Sequence, residues 1–385
     1  MNLENIEHDY RTNEENDVHY MSLALSAAEN GMGRTAPNPL VGAVIVKDGR
    51  VLSVGYHARY GDAHAEVHAI RQLSESAEGA TIYVTLEPCS HHGKTPPCVE
   101  AIVAQGISRV VVATLDPNPL VSGRGIKYLK DHGLDVSVGI CEAEALKINE
   151  PFFHFIQTRT PLMVLKTAMT LDGKIATVSG ESKWISSEAS REYAHRLRHR
   201  YAGIMAGIGT VLADDPSLNA RIPGGVDPHR IIVDTHGRIP LTAKVLNLTD
   251  SPGRTIIATT TKASAEKVTA LKGKGAHVLI LPEKEGHVDL SALVKALGDL
   301  DIDSVLIEGG SELNFSLLKD HLIHRVIAFI APKLIGGKTA KSPIGGEGLH
   351  QLKDAIQLEK LEVHMMGDDI MITGKIVQEV ICSQA

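Results

Sequence analysis

The chain has 385 residues, 43% hydrophobic and 22% charged, which excludes a disordered or fibrous chain and leaves room for more than one core. Its net charge of −7 argues against a general affinity for long nucleic acids, although a basic pocket for one phosphate would not show in that sum. Four cysteines, Cys89, Cys98, Cys141 and Cys382, are too few and too scattered for a disulfide framework, and only the first two are close enough to share a metal.

Residues 1–16 read as a polar, acidic extension without the apolar stretch of a targeting peptide. No apolar run approaches the ~18 residues that a membrane span needs, so a cytoplasmic protein without membrane or nucleic-acid partners is expected. From Asp17, "DVHYMSLALSAAENGMG" has helical spacing and a glycine stop. "LVGAVIVKDGRVLSVGY" then reads as a hairpin turning at Lys47-Asp48-Gly49. Alternation follows: a helix from His64, the strand "TIYVT", a helix from about Pro97, the strand "RVVVAT", a helix near "GIKYLKDHG" and the strand "DVSVG". Such alternation predicts helices layered on the faces of a sheet. One long helix, "EAEALKINEPFFHFIQTR", closes the first domain.

Pro161 opens a second α/β series with the strand in "PLMVLKTAMTLDGKIA". The helix "SSEASREYAHRLRHR" and the strands "AGIMAG", "HRIIVD", "RTIIATT" and "HVLIL" come next. "DSVLIEGGSELNFSLLK" runs from strand through two glycines into helix, and "HRVIAFIAPKLIGG" and "DDIMITGKIV" supply further strands.

The stretch "AHAEVHA" and the later "LEPCSHHGKTPPCVEAI" carry the chemistry of the first half. His64, Cys89 and Cys98 make a three-ligand zinc set whose open tetrahedral position would hold water, and zinc brings the pKa of such water to about 7. Mid-helix side chains two residues apart diverge. If His64 sits at the helix edge, however, Glu66 can converge on the same water and carry its proton to a ring nitrogen and then to departing ammonia. Three alternatives stay open: a His64/His68 ligand pair, a structural zinc completed by His91 or His92, and a zinc-stabilised binding module without turnover. The second half lacks the G-x-G-x-x-G fingerprint. Its glycine pair at "IEGGSELN" would still let backbone N–H groups and a helix N-terminus approach a phosphate.

Histidine-x-glutamate followed by proline-cysteine and a second cysteine resembles the zinc nucleobase deaminases, except that eight residues separate the cysteines in place of a C-x-x-C. That gap, with "TAPNPLVGAVIV", "GYHARYGDAHAEVHA" and "LDPNPLVSGRG", resembles the deaminase half of the bifunctional deaminase/reductase family of riboflavin biosynthesis. "LKTAMTLDGKIAT", "GESKWIS", "GIGTVLADDPSLNAR", "RIIVDTHGRIP" and "IEGGSELN" resemble its reductase half. The resemblance implies a cytidine-deaminase-like three-layer α/β/α domain over residues 17–158, then a dihydrofolate-reductase-like α/β domain over 159–385. It further implies zinc-dependent deamination of a diaminopyrimidine phosphoribosyl compound, followed by NADPH-dependent reduction of the product's ribosyl group to ribityl.

Residue by residue, the resemblance puts His64, Cys89 and Cys98 on zinc and Glu66 in catalysis. Asn38, His57, His91, Lys94 and Thr95 would line the deaminase pocket, with Asp116 and Asn118 at its rim. NADPH would lie on Ala168, Trp184, Thr210, Asp214, Thr235 and the run Gly310, Ser311, Glu312, Leu313, Asn314, Phe315 and Ser316. Ser182, Arg198, Leu218, Arg221 and Glu308 would hold the reductase substrate. Arg198 and Arg221 suit its phosphate because a guanidinium fork matches phosphate oxygens. Asp214 and Glu308 are the carboxylates to examine for proton transfer, and self-association into a homo-oligomer is expected.

Overall fold

Short β-branched runs separated by helices give the first unit its sheet. The computed structural model describes residues 13–92, 96–118, 122–247 and 253–377. The chain divides into two units, Met1–Thr158 and Arg159–Ala385. In the first, α1 (Asn13–Ala28) precedes the hairpin β1 (Gly42–Lys47) and β2 (Arg50–Tyr56). Then come α2 (Ala65–Arg71), β3 (Thr81–Val84), α3 (Cys98–Ala104), β4 (Arg109–Val112), α4 (Arg124–Asp131) and β5 (Asp135–Val138). Two short helices, α5 (Glu142–Ile148) and α6 (Glu150–Thr158), end the unit.

The sheet order is β2-β1-β3-β4-β5. Strand β1 is antiparallel to both neighbours, while β3, β4 and β5 are parallel. Successive strand residues point to opposite faces, and both faces are covered. Ile45, Ile82, Val110 and Val112 pack with Ala69, Val99, Ile102 and Leu129 of α2, α3 and α4. Val44, Tyr83 and Val111 pack with Met21 and Ala24 of α1 and Ala145 of α5. This is the three-layer α/β/α arrangement.

Two boundaries differ from the sequence reading. Helix α1 starts at Asn13, inside the segment read as extension, with Glu14 and Glu15 in its first turn, where acidic groups suit the helix N-terminus. The expected single helix over 142–159 is two, broken at Asn149. There the buried Asn149 amide accepts from the Leu40 N–H at 2.7 Å and donates to the Leu40 carbonyl at 2.8 Å, and Pro151 has no N–H to continue the ladder.

The second unit contains β6 (Leu162–Thr170), α7 (Glu188–Arg200), β7 (Gly203–Gly207), α8 (Ile208–Asp214), β8 (His229–Val233), β9 (Thr255–Thr259), α9 (Ala265–Gly273) and β10 (His277–Ile280). The small pair β11 (Glu283–Lys284) and β12 (His287–Val288) leads to α10 (Leu290–Asp299) and β13 (Ser304–Ile307). Next are α11 (Ser311–Lys319), β14 (Arg325–Ala331), β15 (Leu358–Met366) and β16 (Asp369–Ile376). The nine-stranded sheet runs β10-β9-β8-β7-β13-β6-β14-β16-β15. All neighbours from β10 to β14 are parallel, and β16 is antiparallel to both β14 and β15.

Strands buried on both faces read as unbroken apolar runs, as "SVLI" of β13 does. Met163, Met205, Ile231 and Val305 face Leu293 and Leu297 of α10 and Leu317 of α11. Ile204, Ile232 and Ile257 face Val211 of α8 and Leu271 of α9, whereas Val164, Leu306 and Phe329 face Leu197 of α7. The sequence reading did not place β15. Its Leu361, Val363 and Met365 alternate with Glu362 and His364, a strand pattern, and lie exposed at 59–66%. Among the described residues no helix is long and apolar enough to cross a membrane.

Candidate active sites

His64 is the N-cap of α2 with extended backbone, φ −66° and ψ 160°, so it stands just outside the helix that carries Glu66 in its first turn. Cys98 opens α3, and Cys89 lies in the loop between β3 and α3. The three ligand atoms lie within 4.8 Å of one another: His64 Nδ1 is 3.5 Å from Cys89 Sγ and 3.3 Å from Cys98 Sγ. The Cys98 N–H donates to Cys89 Sγ at 3.3 Å, which fixes the loop on the helix start. The hydrogen bond between the two sulfurs pulls the Cys89 thiol down and pushes Cys98 up. Imidazole plus two thiolates is a zinc donor set.

Glu66 is buried, at 3% exposure. Burial pushes its carboxyl up to about 7, the Cys89 thiolate adds to this, and His64 opposes it. Among the described residues no other histidine joins the cluster. His68 turns its Nδ1 to the Tyr56 backbone at 2.9–3.1 Å, His92 pairs with Glu100 at 3.1 Å, and His91 is exposed. The three-ligand set therefore keeps an open position among the described residues.

His57 is buried beside His64, ring centroids 5.8 Å apart. Burial lowers its pKa, and its partners call for one N–H and one bare nitrogen: Nδ1–H donates to the Ala63 carbonyl at 3.1 Å and Nε2 accepts from the Asn38 amide at 3.2 Å. Asn38 thereby presents its carbonyl oxygen elsewhere. Asp116 accepts from the Asn118 N–H at 2.8 Å. Lys94 and Thr95 lie outside the described residues.

In the second unit the polar residues gather where parallel strands end, the usual ligand side of such sheets. A cavity of 790 Å³ is lined by Thr210, Asp214 and Leu218, by the run Gly309 to Leu313, and by Trp184. A second, of 580 Å³, is lined by Lys166 and Ala168 of β6 and by His195 of α7. Ser182, Trp184, Arg198, Arg221 and Glu308 line both. The Arg198 fork grips Glu308 at 2.7 and 2.9 Å and also donates to the Asn219 carbonyl at 3.2 Å, while Lys166 Nζ is 3.6 Å from Glu308. Burial alone would raise the Glu308 carboxyl, but Arg198 and Lys166 outweigh it and hold it far below the usual range. At the head of α11 the buried Asn314 amide donates to the Pro343 carbonyl at 2.9 Å and leaves its Oδ1 without a partner. Glycines without Cβ and the free N–H groups of a helix start fit a phosphate-bearing cofactor there.

Residues 14–114 match the model of the cytidine and deoxycytidylate deaminase zinc-binding region, and residues 161–372 match that of the RibD C-terminal domain. Among curated relatives, riboflavin biosynthesis protein RibD of Actinobacillus pleuropneumoniae is 46% identical over 92% of this chain and 94% of its own. The chain belongs to the RibD family. RibD of Aquifex aeolicus is likewise 46% identical, over 93% of this chain and 98% of its own. The structure of Acinetobacter baumannii RibD superposes with a TM-score of 0.84 at 38% identity, covering 95% of this chain and all of that one. A Thermotoga maritima structure described as a diaminohydroxyphosphoribosylaminopyrimidine deaminase and 5-amino-6-(5-phosphoribosylamino)uracil reductase gives 0.84 at 34% identity over 95% of this chain. The chain is thus a bifunctional enzyme of riboflavin biosynthesis, with a zinc-binding deaminase domain and an NADPH-dependent reductase domain.

Several residues carried over from the RibD family stand differently from expectation. Arg198 is no free phosphate clamp, since its fork is taken by Glu308. Arg221 is exposed at the cavity wall, where a guanidinium can turn to an incoming anion. Thr235 is interior: its hydroxyl accepts from the Val288 N–H at 3.3 Å, and it lines neither cavity. Asn314, Phe315 and Ser316 also stand off the lining, the Ser316 hydroxyl donating to the Glu312 carbonyl at 3.0 Å. Two groups were missed, Lys166 and Glu87. Lys166 had a signal, a lysine directly after the apolar run of the strand "LMVLKTAMT".

Proposed function

We propose that the first unit deaminates 2,5-diamino-6-(5-phosphoribosylamino)pyrimidin-4-one and that the second reduces the ribosyl group of 5-amino-6-(5-phosphoribosylamino)uracil to ribityl with NADPH. The observation that carries this is the convergence of His64, Cys89 and Cys98 beside the buried Glu66 in the same chain as the Arg198–Glu308 wall shared by two cavities. His64, Cys89 and Cys98 would hold zinc, which would supply a water activated for attack at neutral pH. Glu66, buried beside the three ligands, is placed to carry a proton from the attacking water to the pyrimidine ring nitrogen and one to the leaving ammonia. Asn38, oriented through His57, hydrogen-bonds the base, and Asp116 and Asn118 border the pocket.

In the reductase, the start of α11 at Gly310 and Ser311 would hold the pyrophosphate of NADPH. The cofactor supplies hydride. Hydride arriving at the sugar carbon must be matched by a proton on the departing ring oxygen. Glu308, held ionised, has none to give at neutral pH, and the Lys166 ammonium beside it does. Arg221 and Ser182 receive the substrate phosphate. The reading also includes a cytoplasmic location and self-association, the latter supported by the exposed apolar face of Leu361, Val363 and Met365 on the edge strand β15.

The test couples metal analysis to a two-step assay. Zinc-loaded protein should release ammonia from the diaminopyrimidine first and oxidise NADPH afterwards. Zinc-loaded protein that releases no ammonia, or that oxidises NADPH equally well with the undeaminated compound, would remove the reading.

A further inference from the structure

Glu87 lies two residues before Cys89 and is buried at 4% exposure, yet no step above uses it. Among the described residues every partner of its carboxylate is a backbone N–H. Oε1 accepts from Gly125 at 2.8 Å and Ile126 at 3.3 Å, and Oε2 accepts from Gly123 at 2.9 Å and Asp116 at 3.3 Å. The backbone of Glu87 is fixed as well, its N–H donating to the Thr114 carbonyl at 2.9 Å. One side chain therefore joins three segments: the loop carrying Cys89, the rim at Asp116, and the first turn of α4. The approach is tight, because a Cβ at Gly125 would run into the Pro88 carbonyl, one residue from the metal ligand.

We propose that Glu87 is a positioning residue for deamination, tying the rim at Asp116 and Asn118 to the metal loop so that substrate is presented to the zinc ligands in register. The chemistry explains why the residue is a carboxylate. Four donors converge on two oxygens, so both must accept. Helix α4 begins with N–H groups that have no partner within the helix, and Glu87 satisfies them with a charge of the favourable sign. Asp116 hands the same frame to Asn118 through its own 2.8 Å bond.

Glu87→Gln keeps the shape and removes the second acceptor. Its NH2 must then face either Gly123 and Asp116 or Gly125 and Ile126, donor against donor. The inference rests on the deaminase reading, so ammonia release by the unaltered protein is measured first and tests that reading by itself. In Glu87→Gln, KM for the diaminopyrimidine should rise roughly tenfold or more, the equivalent of one lost hydrogen bond to a charged group. The deaminase kcat should fall much less, and zinc stoichiometry and reductase turnover should stay as in the unaltered protein. Glu87→Asp, with both acceptors on a shorter arm, should recover part of the KM. A residue that merely stabilised the fold would lower the active fraction and leave KM alone. An unchanged KM in Glu87→Gln, or loss of zinc as its main defect, overturns the proposal. If Glu87→Gln does not accumulate, an unchanged KM in Glu87→Asp does the same.

Discussion

Replacing Arg198 by alanine separates two roles for this arginine, a substrate clamp and the counter-ion of Glu308. The pair is largely buried, with side chains 14% and 12% exposed, and is joined by two bonds of 2.7 and 2.9 Å. Removing one partner of such a pair strands a charge and costs about 3–5 kcal/mol. Lys166 at 3.6 Å recovers part of this, so the lower end applies. With a urea m-value of ~2–3 kcal/mol per molar, the unfolding midpoint should fall by about 1 M. Trp184 is the single tryptophan and belongs to the second unit, so its fluorescence follows that unit's transition. The deficit has a pH signature. The folded Glu308 carboxyl is depressed, so the pair's contribution is complete above the unfolded value of ~4.3 and is lost as pH falls through the folded one. The two proteins should therefore converge in strong acid. Arg221→Ala should behave oppositely, raising KM for the phosphorylated substrate much more than that for NADPH at unchanged stability. If Arg198→Ala left the midpoint alone and weakened only substrate binding, the counter-ion argument would be wrong.

Glu66→Gln should retain zinc and lose ammonia production, and undiminished turnover would contradict its proton-carrying part. Cys98→Ala should cost both metal and deaminase activity while NADPH oxidation on the deaminated substrate persists; collapse of both activities would deny the two units their independence. Burial raises the Asp303 carboxyl from 3.8 to about 6, so the fold gains from its protonation below ~4 and loses that gain as pH rises through about 6. Asp303→Asn should accordingly stabilise the second unit by about 1–3 kcal/mol at pH 7 and by nothing at pH 3.5. A stabilisation independent of pH would point away from the charge.

The zinc cluster was legible because its residues are chemically scarce and the elements holding them are short. A histidine, a glutamate and two cysteines at fixed offsets constrain a site even when the loop between the cysteines is long. His64 at the N-cap of α2 is also a local property, decided where the helix starts. The reductase cavities were less legible. Arg198 and Glu308 lie on α7 and just after β13, and nothing in either segment says that they meet. The roles of Lys166 and Glu87 are set by partners on other elements, Glu308 after β13 and the amides of Asp116, Gly123, Gly125 and Ile126, which neither local motif specifies.

The alternation of apolar runs with helical spacing determined two layered α/β units, since burying one face of each element admits few other packings. It also determined the metal donors, since thiolate and imidazole chemistry travels with the side chain wherever the chain takes it. Tertiary structure alone decided who pairs with whom: the arginine fork that closes on Glu308, the threonine that turns inward to Val288, the four amides that meet on Glu87. A side chain's charge is a local property. Its partner is fixed by contacts between segments far apart in the chain, which become definite only once the sheets are assembled.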